Sequence, residues 1–352
     1  MSEHIRIGIV GAGFGAKAHL PALLAHPRFE VVALASPSSA AGIAKERGIA
    51  HVFASCADMV RGCELDAVTI ASPPFAHRED AEAAFGAGKH VICEKPFGLN
   101  VVQAEEMLAM ARRAGTIAGL SHEFRWVPPQ QALKELVENR HLDPLREIEI
   151  TQLSTFLRLD GTRERGWWFE RRRGGGIAGA LLSHLIDMAN WLAGRPPTRA
   201  TGLIRTANPH RHDAKGAFTS DVDDGAFALL DYGEGLVARL TVDATTAHAS
   251  FTSALHAENR TAVASGESIA ETTLYTVDEH ETAELQCKAS PYAHLASVQA
   301  NVPYLMELYD AFAAAIDGKS TTGLPTFAEA VETQKVLAAV GFSVRTMAGS
   351  DR

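Results

Sequence analysis

The apolar positions divide this chain into two regimes. IRIGIV (5–10) is an unbroken apolar run, the pattern of a strand buried on both faces. FEVVALAS (29–36), AVTIAS (67–72) and HVICEKP (90–96) repeat it, and the intervals carry helical spacing. That spacing runs through Leu20, Leu23 and Leu24, through a stretch ending near Cys63, through REDAEAAFGAG and through VVQAEEMLAMARRAG. Asn100 with Gln103 has the spacing of a capping box for the last of these, and Gly115 stops it. Strands alternating with helices predict a doubly wound parallel sheet over a first domain, residues 1–121.

After about residue 122 the rhythm changes. REIEITQLSTFLRL (146–159) reads as a long strand, and ATGLIRTAN, DGAFALLDY, GLVARLTVDAT, TSALHAEN and TAVASG (200–266) as short strands joined by turns. ALKELVENR and ALLSHLIDMANWL are the chief helices among them, while PHRHDAKGAFTSDVDD (209–224) reads as a polar loop. Sequential strands with tight turns predict an α+β second domain, residues 122–352, with a mostly antiparallel sheet. The chain returns to helix in VPYLMELYDAFAAAIDG, and Thr326 with Glu329 forms a second capping box. These last helices are expected to pack back on the first domain.

Composition narrows the functional classes. A length of 352 residues with 46% hydrophobic and 21% charged residues suits two folded soluble domains. The net charge of -9 repels phosphate backbones, so no nucleic-acid partner is expected. Cys56, Cys63, Cys93 and Cys287 form no C-x-x-C pair and match no zinc spacing. They read as thiols of a reducing compartment, with no metal in the site. MSEHIRIGIV enters a strand at once, without a secretory pattern, and no apolar run has the length of a membrane span. The expectation is a cytoplasmic protein with no membrane partner.

Strand, Gly11-Ala12-Gly13-Phe14-Gly15-Ala16, then helix is the context of a dinucleotide fingerprint, and hence of a Rossmann sheet. Gly11 permits the tight turn, Gly13 admits the pyrophosphate to the backbone, and Ala16 stands at the third small position, with Gly15 adding room. Phosphate then sits over the helix N-terminus. At the end of the second strand, where a carboxylate would bind the ribose 2′-OH, the chain reads Ala35-Ser36-Pro37-Ser38-Ser39. Ser36 and Ser38 can donate to a 2′-phosphate, which favours NADP over NAD.

Several segments together resemble the Gfo/Idh/MocA oxidoreductases, named for glucose-fructose oxidoreductase and inositol dehydrogenase. They are GIVGAGFGAKAHLPAL (8–23), ASPPFAHRE (71–79), GKHVICEKPFGLN (88–100), HEFRWVP (122–128), GGG with SHLIDMANWL (174–192) and AFAAAIDG with LPTFAEA (311–330). The resemblance implies a second domain with a large open sheet used for substrate and for homodimer or homotetramer contacts. It also implies hydride transfer between nicotinamide and a sugar, a polyol or a related hydroxyl or carbonyl compound.

Lys95, in Glu94-Lys95-Pro96 at the carboxyl end of a parallel strand, can set a positive charge against the reacting oxygen. A peptide near this proline can be cis in the family. His184 can exchange the hydroxyl proton as hydride moves. His184, Asp187 and Trp191 share a helix face, and Asp187 reads as an orienting carboxylate. The resemblance departs at Ala180, where many members carry an aspartate one turn before the histidine. By the same resemblance Ser72, Pro73, Pro74 and His77 line the cofactor cleft with Gly11, Gly13, Phe14, Gly15, Glu94 and Arg125. Arg125 and Trp126 fall at the domain junction, and Trp168 lies beside Arg171–Arg173 as a candidate substrate surface. Ala180 keeps two alternatives open: a nucleotide-sensing regulator without turnover, and a reductase of a non-sugar carbonyl or imine.

Overall fold

The computed structural model describes residues 4–37, 39–159 and 163–342. They fall into two compact units: Met1–Pro128 with Arg172–Gly174 and Lys288–Gln334, and Pro129–Arg171 with Gly175–Cys287 and Lys335–Arg352.

The first unit opens with β1 (Ile5–Val10), a π-helical turn (Gly15–His19) running into α1 (Leu20–Ala25), β2 (Phe29–Ala35), α2 (Ala40–Arg47), β3 (His51–Phe53) and α3 (Cys56–Gly62). β4 (Ala67–Ile70), α4 (His77–Gly86), β5 (His90–Cys93), α5 (Val101–Ala114) and β6 (Ala118–Leu120) follow. The strands form one sheet in the order β3-β2-β1-β4-β5-β6, with every pair parallel. Strand order reverses between β1 and β4, which opens a crevice at their carboxyl ends. The continuous apolar runs arise because both faces are covered. Val68, Ile70, Val91 and Cys93 lie in one core with Phe85, Met107 and Phe327. Burying an isoleucine such as Ile70 contributes about 1.5–3 kcal/mol, so Ile70→Ala would open a costly cavity.

The second unit holds α6 (Pro128–Glu138, whose first residue belongs to the first unit), β7 (Leu145–Leu153), α7 (Ser183–Ala193), β8 (Arg199–Arg205), β9 (His210–Asp213) and β10 (Gly216–Thr219). β11 (Gly225–Gly233), β12 (Leu236–Asp243), β13 (Ser250–Ala257), β14 (Thr261–Gly266), β15 (Thr272–Val277) and β16 (Thr282–Leu285) complete it. Eight strands form a sheet in the order β16-β15-β14-β13-β7-β12-β11-β8, antiparallel except where β12 runs parallel to β7. Its alternation is plain in β12, where Leu236, Ala238, Leu240 and Val242 are buried while Val237 and Arg239 are exposed. α7 packs against β7 and β12. Two helices end the described chain: α8 (Val302–Ile316), in the first unit, and α9 (Phe327–Phe342), which starts there and finishes in the second.

Several elements correct the sequence reading. The segment 209–224 is not a loop throughout: β9 and β10 pair as an antiparallel hairpin. Its turn is set by Asp213, whose carboxylate accepts the Lys215 N–H (2.8 Å) and is gripped by Arg165 from 48 residues away. Gly216, at φ +106°, closes it. Long-range bracing of this kind has no local signature. β3 and β6, three residues each, are too short for periodicity, and the edge strand β16 and its neighbour β15 are likewise outside the sequence expectation. The Thr326 box is reciprocal, with Glu329 N–H donating to Thr326 Oγ1 and Thr326 N–H to Glu329 Oε2. At α5, Asn100 accepts from the Gln103 N–H, but Gln103 reaches back to the Leu99 N–H instead of closing the box.

Candidate active site

The glycine loop is built by close approach. Gly11 has φ +105°, and a Cβ there would lie 2.2 Å from the Ala71 carbonyl oxygen just after β4. Only glycine fits. A Cβ on Gly15 would crowd Ala71 Cβ at 3.1 Å and Ile9 Cγ2 at 3.2 Å. The tight strand–helix packing expected of Ala16 therefore falls on Gly15. Gly13 is exposed, and a Cβ there would meet nothing within 4 Å. An open backbone between a glycine that admits no side chain and one that leaves little room fits a pyrophosphate.

Ser36, half-buried after β2, has its hydroxyl 3.5 Å from that of Ser39. Ser38 lies outside the described residues. After β4, the Ser72 hydroxyl donates to Asp80 Oδ2 at 2.6 Å. Burial pushes Asp80 up to about 6, against the pull of that bond. His77 is fully buried, with Nε2 2.8 Å from the Ser72 carbonyl and Nδ1 3.3 Å from that of Phe97. It ties the Ser72-Pro73-Pro74 turn to the segment after Lys95. Desolvation lowers its affinity for a proton, the two carbonyls opposing.

At the carboxyl end of β5 the Lys95–Pro96 peptide is cis. Glu94 is 5% exposed, and its Oε1 lies 2.9 Å from His19 Nε2. His19 Nδ1 is 2.7 Å from the Tyr309 hydroxyl, itself 2.9 Å from Thr69 Oγ1. The assignment that satisfies every group runs Thr69 to Tyr309 to His19 Nδ1, leaving the Nε2–H for Glu94. Burial raises the Glu94 proton affinity, but the His19 bond and the Lys95 charge outweigh it and hold the carboxyl below its ordinary range. Lys95 Nζ stands 6.0 Å from the centre of the Phe14 ring, so the fingerprint loop and the lysine share one neighbourhood.

Arg125 is 4% exposed and pairs with Glu329 Oε1 at 2.9 Å, both within the first unit. Trp126, next to it, is buried. The sequence reading passed over Ser121, His122 and Glu123, which follow β6 and are at most 1% exposed. The signal was their place: they leave the carboxyl end of a parallel strand, as Lys95 does. The His19–Tyr309 relay was missed because its partners are distant in sequence, and Asp80 because it reads as one more acid of an amphipathic helix.

In the second unit, Trp168 is buried against Phe156 and Phe169, with the Arg163 guanidinium 4.3 Å from its ring centre. His184 and Asp187 on α7 are each 1% exposed. The Tyr232 hydroxyl donates to Asn190 Oδ1 on the same helix; burial, with the Asp187 charge, keeps that phenol protonated. A π-helical turn, Ala178–Leu182, precedes α7, and Ala180 lies in it.

Comparison with known proteins gives a consistent picture. Residues 5–122 match the model of an oxidoreductase family with an NAD-binding Rossmann fold, and residues 130–265 match the GFO/IDH/MocA C-terminal domain. An uncharacterized oxidoreductase of Synechocystis sp. is 35% identical over 204 residues, 57% of this chain and 55% of that protein. The levoglucosan dehydrogenase of Pseudarthrobacter phenanthrenivorans is 27% identical, over 69% of this chain and 68% of its own. A structure of levoglucosan dehydrogenase in complex with NADH and levoglucosan superposes with a TM-score of 0.85 at 22% identity, covering 96% of each chain. The Rossmann and mostly antiparallel sheets read from sequence are those of this shared fold.

Proposed function

The chain belongs to the Gfo/Idh/MocA oxidoreductase family, and from that premise we propose that it transfers hydride between a nicotinamide and a sugar, polyol or related hydroxyl or carbonyl compound. The observation that carries this reading is the pairing of Glu94 and Lys95 at the end of β5, braced by His19 and set beside the fingerprint loop. A bound nicotinamide supplies the hydride acceptor or donor. The backbone at Gly11, Gly13 and Gly15 holds its pyrophosphate, with Phe14, Ser72, Pro73, Pro74 and Arg125 shaping the cleft and His77 holding the Ser72 turn in place. Lys95 stabilises negative charge on the substrate oxygen, and Glu94 fixes the lysine while staying ionised. His184 takes or returns the hydroxyl proton, Asp187 orients it, and Trp168 offers a stacking surface.

NADP is the favoured cofactor, because the end of β2 carries the Ser36 hydroxyl and no acid. A homodimer or homotetramer through the eight-stranded sheet is supported by Leu203, Leu229 and Val237, each at least 41% exposed. The net charge of -9 argues against a nucleic-acid partner, and the scattered thiols favour the cytoplasm. The test is a panel of sugars, polyols and carbonyl compounds with NADH, NADPH and their oxidised forms, read by nicotinamide absorbance. Ala180 supports one other reading, a sensor: nucleotide binding with no turnover anywhere on the panel would establish it.

A further inference from the structure

A second acid lies beside the Glu94–Lys95 pair. Glu123 begins a short helical turn after β6 and is 1% exposed. Its Oε1 accepts from the side-chain amide of Asn301, the residue before α8, at 3.0 Å. Its Oε2 is buried and has no hydrogen-bond partner. Two carboxyls out of water and within electrostatic reach of each other share one ammonium. One of them has the stronger claim to it. Glu94 has the His19 bond as well as the lysine, whereas Glu123 has a neutral amide. Of the other charged groups on the surrounding elements, Arg125 is engaged by Glu329, Asp310 of α8 by Tyr292 and His26, and the part-buried Glu307 of α8 faces Ser290 and Lys288.

We propose that Glu123 is a positioning residue that works as a neutral carboxylic acid, its proton on Oε2, so that Lys95 faces one carboxylate and keeps its positive field for the substrate oxygen. The link to Lys95 rests on the hydride-transfer reading; the proton on Glu123 does not. Burial first, then the Glu94 charge, push this carboxyl up to about 8, with Lys95 pulling the other way. In mildly alkaline solution the Oε2–H bond breaks, the proton passes to solvent and a second carboxylate appears beside the lysine. Asn301 donates to Oε1 whether or not Oε2 carries the proton, and does so more strongly when the group is ionised.

Two measurements on the full-length protein test this. Infrared difference spectra across about pH 6 to about pH 10 read the buried acid directly, through a carboxylic C=O band present near neutrality, lost in alkali and missing from Glu123→Gln. An identical band in the variant, or none in the parent, overturns the proposal whatever the enzyme does. With an active substrate in hand, parental kcat/KM falls about tenfold or more above pH 8, and Glu123→Gln holds its neutral-pH rate while that fall moves to higher pH. An unchanged alkaline fall in folded Glu123→Gln also overturns it. Asn301→Ala gives an independent check, because losing a donor to the ionised form moves the fall upward. If no compound on the panel turns over while the band behaves as expected, the chemistry assigned to the site fails and the protonated acid stands.

Discussion

The two units offer chemistry in different ways. In the first, parallel strands all end on one edge, so residues far apart in sequence, Gly11–Gly15, Ser72, Glu94-Lys95 and Ser121–Glu123, leave from neighbouring strand ends. Topology does the gathering. In the second, the described sheet is antiparallel except between β7 and β12, so its strand ends are divided between two edges; the candidate groups sit on a helix, with His184 and Asp187 buried on α7. A parallel sheet collects backbone amides and fixed charges, whereas a packed helix presents one well-oriented titratable ring. Under the proposed function, the first unit would supply the electrostatic work and the second the proton.

The sharpest way to break that contrast is to delete one group from each unit. Lys95→Ala should lower kcat by about 10³-fold near neutral pH and leave nucleotide affinity by calorimetry within about threefold. His184→Ala should lower it by about 10²-fold and flatten the pH profile near neutrality. Matching pH profiles in the two variants would erase the division of labour.

Next in size is the buried acid. A carboxyl whose folded value, about 8, lies above its ordinary 4.5 holds its proton more tightly in the folded state. Its favourable contribution is therefore greatest at low pH and is lost as pH rises from about 4.5 to about 8. Glu123→Gln should gain stability over the parent across that window, by about 2–4 kcal/mol at its upper end. Melting curves at about pH 5 and about pH 9 measure this, and a constant difference between the two would refute it.

The glycines sharpen the comparison within one loop. Gly11→Ala should cost about 2 kcal/mol or more of stability, since its Cβ meets a carbonyl oxygen. Gly13→Ala should leave the melting temperature almost unchanged and weaken nucleotide binding about tenfold, because its Cβ would meet nothing within 4 Å and would stand where the proposed pyrophosphate approaches. Reversed outcomes would mean that the loop is read backwards. Smallest is Thr326→Ala, which should cost about 1 kcal/mol by uncapping α9, with little change in turnover.

What the sequence disclosed follows the same division. Local rules carried the glycine loop, the strand before Lys95 and the Thr326 cap, because each is written within a few neighbouring residues. They failed where the deciding partner is remote. Arg165 shapes a turn at Asp213, Tyr309 completes a chain to Glu94, and Asn301 meets Glu123. Gly15 taking the packing role of Ala16 is a subtler miss: the motif's spacing was legible, but which small residue touches the strand depends on the π-helical turn at Gly15–His19.

The Tyr309 link bears on how the protein is made. Residues 1–122 leave the ribosome with the sheet, the glycine loop and Glu94 already specified, yet the ring that braces His19 arrives almost 190 residues later. Until α8 is synthesised, Glu94 and His19 lack the ring that completes their chain, and the first unit is finished only once that helix has followed.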